Sequence, residues 1–250
     1  MNALQFKVED YIEAFGLNKS PPSPDYVLLV FNKDIYGVLK SLSNSSDSGE
    51  KTTETKLKRN FFDIVVNSIK LRVFLSGDGA PIVGHSLEIL IKRGAKFIIG
   101  LGYTASLNSE VLKIGNFFTP SSIIRTDGVS KKYVDPSVPL VTRRNLLNNV
   151  VDCIGKHNHT VVGVGCSTDS YFRHNKNEID DYVEHGALSL DMESGAFTAI
   201  TKHYKVSSIL INIVSEEIFH GNWKPNYPRA RDKIKFVYNE LQNIISYIKE

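Results

Sequence analysis

Four stretches of this chain put residues able to do chemistry where strand-like runs end. Leu190-Asp191-Met192-Glu193-Ser194-Gly195-Ala196 sets two carboxylates two positions apart, and in extended backbone both point the same way. A carboxylate accepts two hydroxyls at once, which suits the vicinal diol of a ribose; acids at a helix start can equally serve its dipole. Met1 aside, Met192 is the chain's only methionine. Gly165-Cys166-Ser167-Thr168-Asp169-Ser170-Tyr171-Phe172 joins small polar residues to two aromatics, which either stack on a planar ligand such as a nucleobase or belong to the core. Leu75-Ser76-Gly77-Asp78-Gly79 and Gly100-Leu101-Gly102-Tyr103-Thr104-Ala105 are rich in glycine. Their backbone N–H groups can approach an anion or a sugar, although a tight strand-to-helix turn explains the first equally simply. Beside these lies Ile213-Val214-Ser215-Glu216-Glu217, two acids after an apolar run. They read either as a solvated loop pair or as one partly buried carboxylate whose raised pKa fits a general acid.

Other constellations carry less. His157 and His159 with Cys153 and Cys166 lack the spacing of a metal site, and no metal is expected. No Gly-x-Ser-x-Gly elbow is present. Pro228-Arg229-Ala230-Arg231-Asp232-Lys233 reads as a solvated helix start.

The elements that must position these residues alternate. Continuous apolar runs at 25–31, 96–101 and 206–214 read as strands buried on both faces, and 61–66, 71–75, 117–124, 160–165 and 187–190 as further strands. Helical spacing covers 6–16, 82–93, 142–156, 192–204 and 229–248. Residues 19–24 hold three prolines and form a stiff connector. Residues 41–56 are polar with one leucine and read as a mobile loop, an insertion within one domain of residues 1–250. Strand–helix alternation predicts an α/β fold with a largely parallel sheet.

Composition narrows the function. The 250 residues carry a net charge of +3 with the signs interspersed, so no basic block marks a nucleic-acid partner. No apolar run approaches the ~20 residues that span a bilayer, and the first ten residues lack a secretory apolar region. Two cysteines suit free thiols in a reducing compartment, so a cytoplasmic location is expected.

Taken in order from about Asp25 to the C-terminus, these stretches resemble the family of hexameric purine and uridine phosphorylases and the related nucleosidases. Ser76-Gly77-Asp78-Gly79-Ala80-Pro81 looks like the family's Gly-x-Gly-x-Pro turn, and Gly94-Ala95-Lys96 followed by an apolar strand and Gly-Leu-Gly-Tyr-Thr-Ala looks like its central strand and glycine turn. Ser167-Thr168-Asp169-Ser170-Tyr171-Phe172 resembles its Ser-x-Asp-x-aromatic-aromatic segment, and Asp191-Met192-Glu193-Ser194 its Glu-Met-Glu signature. The resemblance implies a three-layer fold, a central mixed, largely parallel sheet flanked by helices. It implies cleavage of the N-glycosidic bond of a nucleoside to free base and ribose 1-phosphate, with no cofactor and inorganic phosphate as co-substrate. By position, Glu193 would hold the ribose hydroxyls and Met192 would pack on the sugar. Tyr171, Ser167 and Asp191 would face the base, and Glu216 would protonate the departing purine. Asn175 and Asn177 stand where uridine-specific members carry Gln and Arg, which tilts the reading to a purine. The implied partners are a small-molecule nucleoside and further copies of the chain, as a dimer or a hexameric trimer of dimers, or an active paralogue.

The resemblance also has departures. In the family's phosphate-holding turn the glycine is Phe31 and the arginine Ile35; a further arginine position is Gly100, and the Ser/Thr after it Tyr103. Gly102, Tyr103 and Arg59 remain as phosphate candidates, with Lys33 and Lys58 nearby in sequence. Because dianionic phosphate needs several charge-assisted bonds, two alternatives stay open. One is hydrolysis, with Asp34 near the place where nucleosidases activate water. The other is a catalytically silent homologue that binds nucleoside.

Overall fold

A computed structural model describes residues 7–19, 22–45, 60–155, 159–219 and 222–248. The chain runs through α1 (Val8–Ala14), β1 (Tyr26–Val30), α2 (Lys33–Ser45), β2 (Phe61–Val66), β3 (Ile69–Leu75), α3 (Ala80–Lys92) and β4 (Phe97–Ser106). It continues through β5 (Phe117–Arg125), α4 (Ser130–Tyr133), β6 (Leu140–Val141), α5 (Arg144–Gly155), β7 (Thr160–Ser167), α6 (Lys176–Glu184) and β8 (Ala187–Asp191). It ends with α7 (Ser194–His203), β9 (Ser207–Phe219), β10 (Asn222–Pro225), α8 (Tyr227–Arg231) and α9 (Ile234–Ile248).

The apolar run of β1 is wholly buried because its two faces meet different layers. Leu28 and Val30 join the core under α2, α5 and α9. Val27 and Leu29, of opposite parity, join the core under α3 and α7. Helices therefore cover both faces of a ten-stranded mixed sheet.

β1 pairs in parallel with β3 and β4, and β4 runs parallel to β9 over its whole length. Beyond that the sheet closes on itself. β9 meets β5, β5 meets β7, β7 meets β8, and Ala105 and Ser106 at the end of β4 pair with Leu190 and Ser189 of β8. Five strands thus form a closed, barrel-like core from which β1, β3 and β2 extend as an open wing. An open sheet was the simpler expectation from alternation alone.

Two expected segments differ. Residues 41–45 continue α2, where Ile35 and Leu39, four apart, are fully buried on its inner face. The remainder of the expected loop, 46–56, lies outside the described residues. The glycines at 100 and 102 make no turn, since β4 runs straight through them. They make clearance instead: a Cβ on Gly102 would stand 2.6 Å from Phe31 Cδ2, and one on Gly100 2.7 Å from Leu210 Cδ1. The packing that this allows seats the Phe31 ring, only 2% exposed.

Candidate active site

The carboxyl ends of β1, β3, β7 and β8 and the outer half of β9 bring the chemical residues to one edge of the sheet. At one end stands Glu193, the residue before α7. Its side chain does not cap the helix that follows. Asp191 does that work, accepting the N–H of Glu193 at 3.2 Å and of Ser194 at 3.0 Å on Oδ1, while Asn212 Nδ2 donates to Oδ2 at 3.0 Å. Glu193 is thereby released to reach across to the β3–α3 turn. There its Oε1 accepts the Gly79 N–H at 2.5 Å and its Oε2 the Met192 N–H at 3.2 Å. Gly79 has φ +99°, a conformation strained for any side-chain-bearing residue, and Gly77 before it has φ +104°. The turn therefore depends on glycine to aim this N–H at the carboxylate.

Glu193 is 7% exposed. Burial first, then the neighbouring Asp191 charge, pushes its carboxyl up to about 8. Burial also raises the Asp191 carboxyl, against the donors that would lower it.

A polar rim leads away from this end. Asn32 Nδ2 donates to Asp78 Oδ1 at 3.2 Å, and Asn32 Oδ1 accepts the Asp34 N–H at 2.8 Å, starting α2. Asp34 Oδ2 accepts the Tyr103 hydroxyl at 3.1 Å, and its Oδ1 lies 3.5 Å from Arg231 Nε. Burial, followed by the Asp34 charge, raises the Tyr103 phenol well above its ordinary value. The Tyr103 ring meets Tyr227 edge-on, with centroids 5.7 Å apart.

Tyr227 belongs to the far end, which is built around Glu216. This residue sits inside β9, not in a loop after it, and is 6% exposed. Tyr171 donates to its Oε1 and Oε2 at 3.1 and 3.2 Å, Tyr227 to Oε2 at 3.2 Å, and Trp223 Nε1 to Oε2. The Tyr171 and Tyr227 hydroxyls are also 2.9 Å apart. Burial raises both phenols. Glu217 turns away and accepts the Ile114 N–H.

The structure thus gathers Glu193, Met192, Asp34, Tyr103, Glu216 and Tyr171 along one edge. Ser167, at the end of β7 opposite Asp191, is buried with no hydrogen-bond partner for its Oγ among the described residues. Both oxygens of Asp191 are engaged within the chain, so contact with a base would require exchanging one of these bonds. Gly102 faces Phe31, and Ile35 is fully buried, so these positions are packed with hydrocarbon. Arg59 and Lys58 lie outside the described residues. Asn32, Trp223 and Tyr227 were not singled out from sequence. Asn32 carried a signal, an Asn immediately before a helix. Trp223 and Tyr227 carried none, since their partner comes to them only through the β9–β10 hairpin.

Among the described residues, no cluster of three or more His, Cys, Asp and Glu is arranged to hold a metal. Cys153 and Cys166 are buried and not joined in a disulfide, and burial pushes the Cys166 thiol up to about 12. No described helix is long and apolar enough to cross a membrane.

A closed five-stranded core with an open wing, helices on both faces and carboxylates gathered at one strand edge define a three-layer α/β fold. The Phosphorylase superfamily matches residues 27–245, and the chain belongs to it. The solved purine nucleoside phosphorylase of Toxoplasma gondii, in complex with immucillin-H, shares the fold at a TM-score of 0.75 and 17% identity, over 91% of this chain and 93% of that one. Among characterised relatives, a guanosine phosphorylase of Halorubrum lacusprofundi is 21% identical over 155 residues, 62% of this chain and 64% of its own. A purine nucleoside phosphorylase of Plasmodium falciparum is 27% identical over 140 residues, 54% of this chain and 57% of its own. The matched stretch therefore spans less than two thirds of either relative's length.

Proposed function

We propose that this chain binds a purine nucleoside and cleaves its N-glycosidic bond, with phosphate as the acceptor of the ribosyl group. The observation that carries this reading is Glu193, a buried carboxylate aimed by two backbone N–H groups at the turn between β3 and α3. Ribose O2′ and O3′ hydroxyls donate to it, and Met192, whose Cε would lie 4.0 Å from a Cβ on Gly79, packs on the sugar. Tyr171 and Glu216 stand at the base. Bond breaking leaves an oxocarbenium-like sugar, and the purine departs more readily when a proton or hydrogen-bond donor reaches it. The relatives' names support the reaction class and the purine.

A second reading, hydrolysis, has its own observation. Phe31 and Ile35 fill with hydrocarbon two positions where the resemblance would place groups that hold phosphate. Asp34 stands at the start of α2, 42% exposed on its side chain, where a water could be activated. Base release from inosine, adenosine and methylthioadenosine, with and without phosphate, separates the two. Strict dependence on phosphate supports phosphorolysis. Release unchanged without phosphate and abolished in Asp34→Asn supports hydrolysis. Thermal stabilisation by nucleosides with no product supports a silent binding homologue and sinks both enzymatic readings.

The same reading extends to a cytoplasmic homo-oligomer. Two buried cysteines that form no disulfide support the first. Phe172, 86% exposed beside Tyr171, supports the second. Sedimentation of the purified chain tests the assembly, and a monomer at micromolar concentration would contradict it.

A further inference from the structure

Three features of the β10–α8 segment converge on Glu216. The hairpin register sets Pro225 opposite Glu216 and Trp223 opposite Ile218, which carries the indole back to the carboxylate seven residues earlier. One turn on, Tyr227 adds its hydroxyl to the same oxygen and leans edge-on against Tyr103. At the end of α8, Arg231 faces Asp34, so the segment is tied to the opposite side of the site as well. Trp223 and Tyr227 are nonetheless 57% and 36% exposed. Large aromatic side chains left half open around a buried carboxylate lose apolar burial unless a planar ligand completes their contacts.

The acceptor capacity of Glu216 is unevenly used. A carboxylate offers about four lone-pair sites. Trp223, Tyr227 and Tyr171 crowd Oε2, whereas among the described residues Oε1 receives Tyr171 alone. Resting on the nucleoside reading above, we propose that Trp223 and Tyr227 are positioning residues that fix Glu216 as a hydrogen-bond acceptor at the base end. The ligand feature selected there is a purine edge carrying an N–H donor. Inosine offers N1–H and adenosine its amino group, whereas purine riboside has the same ring and sugar with no base N–H.

Trp223 is the only tryptophan in the chain, so its emission reports on this contact in the unmodified protein. Inosine, adenosine and purine riboside are titrated by calorimetry against wild type, Trp223→Phe and Tyr227→Phe, and by tryptophan fluorescence against wild type and Tyr227→Phe. The expected result is a shift in wild-type emission on binding and a preference of about tenfold or more for the better of inosine and adenosine over purine riboside, the worth of one hydrogen bond to a charged group. In both variants that preference shrinks severalfold while purine riboside binds as before, which a merely structural role would not produce. Calorimetric binding with unmoved emission, or folded variants that keep the full preference, overturns the inference and leaves the nucleoside reading standing. If none of the nucleosides binds by calorimetry, the nucleoside reading falls and takes the inference with it.

Discussion

Glu193 and Glu216 are both buried carboxylates at the same edge of the sheet, and they are held by different means. Backbone N–H groups of Gly79 and Met192 hold Glu193, and the first of these donors is aimed by a β3–α3 turn in a glycine conformation. Side chains of Tyr171, Trp223 and Tyr227 hold Glu216, each of them removable by one substitution. On the proposed reading, the sugar end is thus written into the course of the chain, whereas the base end rests on replaceable groups.

The largest effect should come from the sugar end. On the proposed reading Glu193→Ala removes the acceptor of two ribose hydroxyls and should weaken nucleoside binding about a thousandfold above pH 8, where the carboxyl is ionised, at about 1.5–3 kcal/mol per charge-assisted bond, as read by calorimetry. An effect below tenfold would break the comparison.

The same residue should also set a pH dependence of stability. Its carboxyl lies near 8 in the folded chain against an ordinary value of 4.5. The folded state therefore keeps a proton that the unfolded chain has lost, and the resulting preference for the folded state is present in full below about 4.5. It is lost as pH rises through about 8. Wild type should accordingly lose a few kcal/mol relative to Glu193→Gln between these limits, measured from urea midpoints. Parallel curves for the two proteins would refute the assignment.

At the base end the expected losses are smaller. Glu216→Gln should weaken binding of inosine and adenosine about tenfold, the worth of one hydrogen bond to a charged acceptor, with purine riboside moved less. Affinities within threefold of wild type would remove Glu216 from the contact with the base.

The sequence revealed the two ends unequally, for a physical reason. The Glu193 site is assembled from local signals, a glycine turn and an Asp-x-Glu at a strand end, and both survive reading one residue at a time. Asp191 and Glu193 read as one ambiguous pair until the structure divided the labour, with the first capping α7 and the second reaching Gly79. Glu216 was visible, but its partners were not. Tyr171 is forty-five residues away and Trp223 arrives through hairpin register, so no spacing encodes either contact. The closure of the sheet was hidden for the same reason, since it depends on two residue pairs between β4 and β8. Gly100 and Gly102 misled because glycine signals a turn in sequence, whereas here it makes room for Phe31. Helix α6 was legible and missed. Asn175 and Glu178 form a reciprocal capping box, three residues apart, whose pattern is plain once looked for.

The most direct test compares one ligand pair on two proteins. Calorimetry of a purine nucleoside and its 2′,3′-dideoxy counterpart should show wild type preferring the intact ribose by about a hundredfold or more, and Glu193→Ala binding the two alike. Equal affinity of wild type for both ligands, or an undiminished preference in the variant, would show that Glu193 does not hold the sugar.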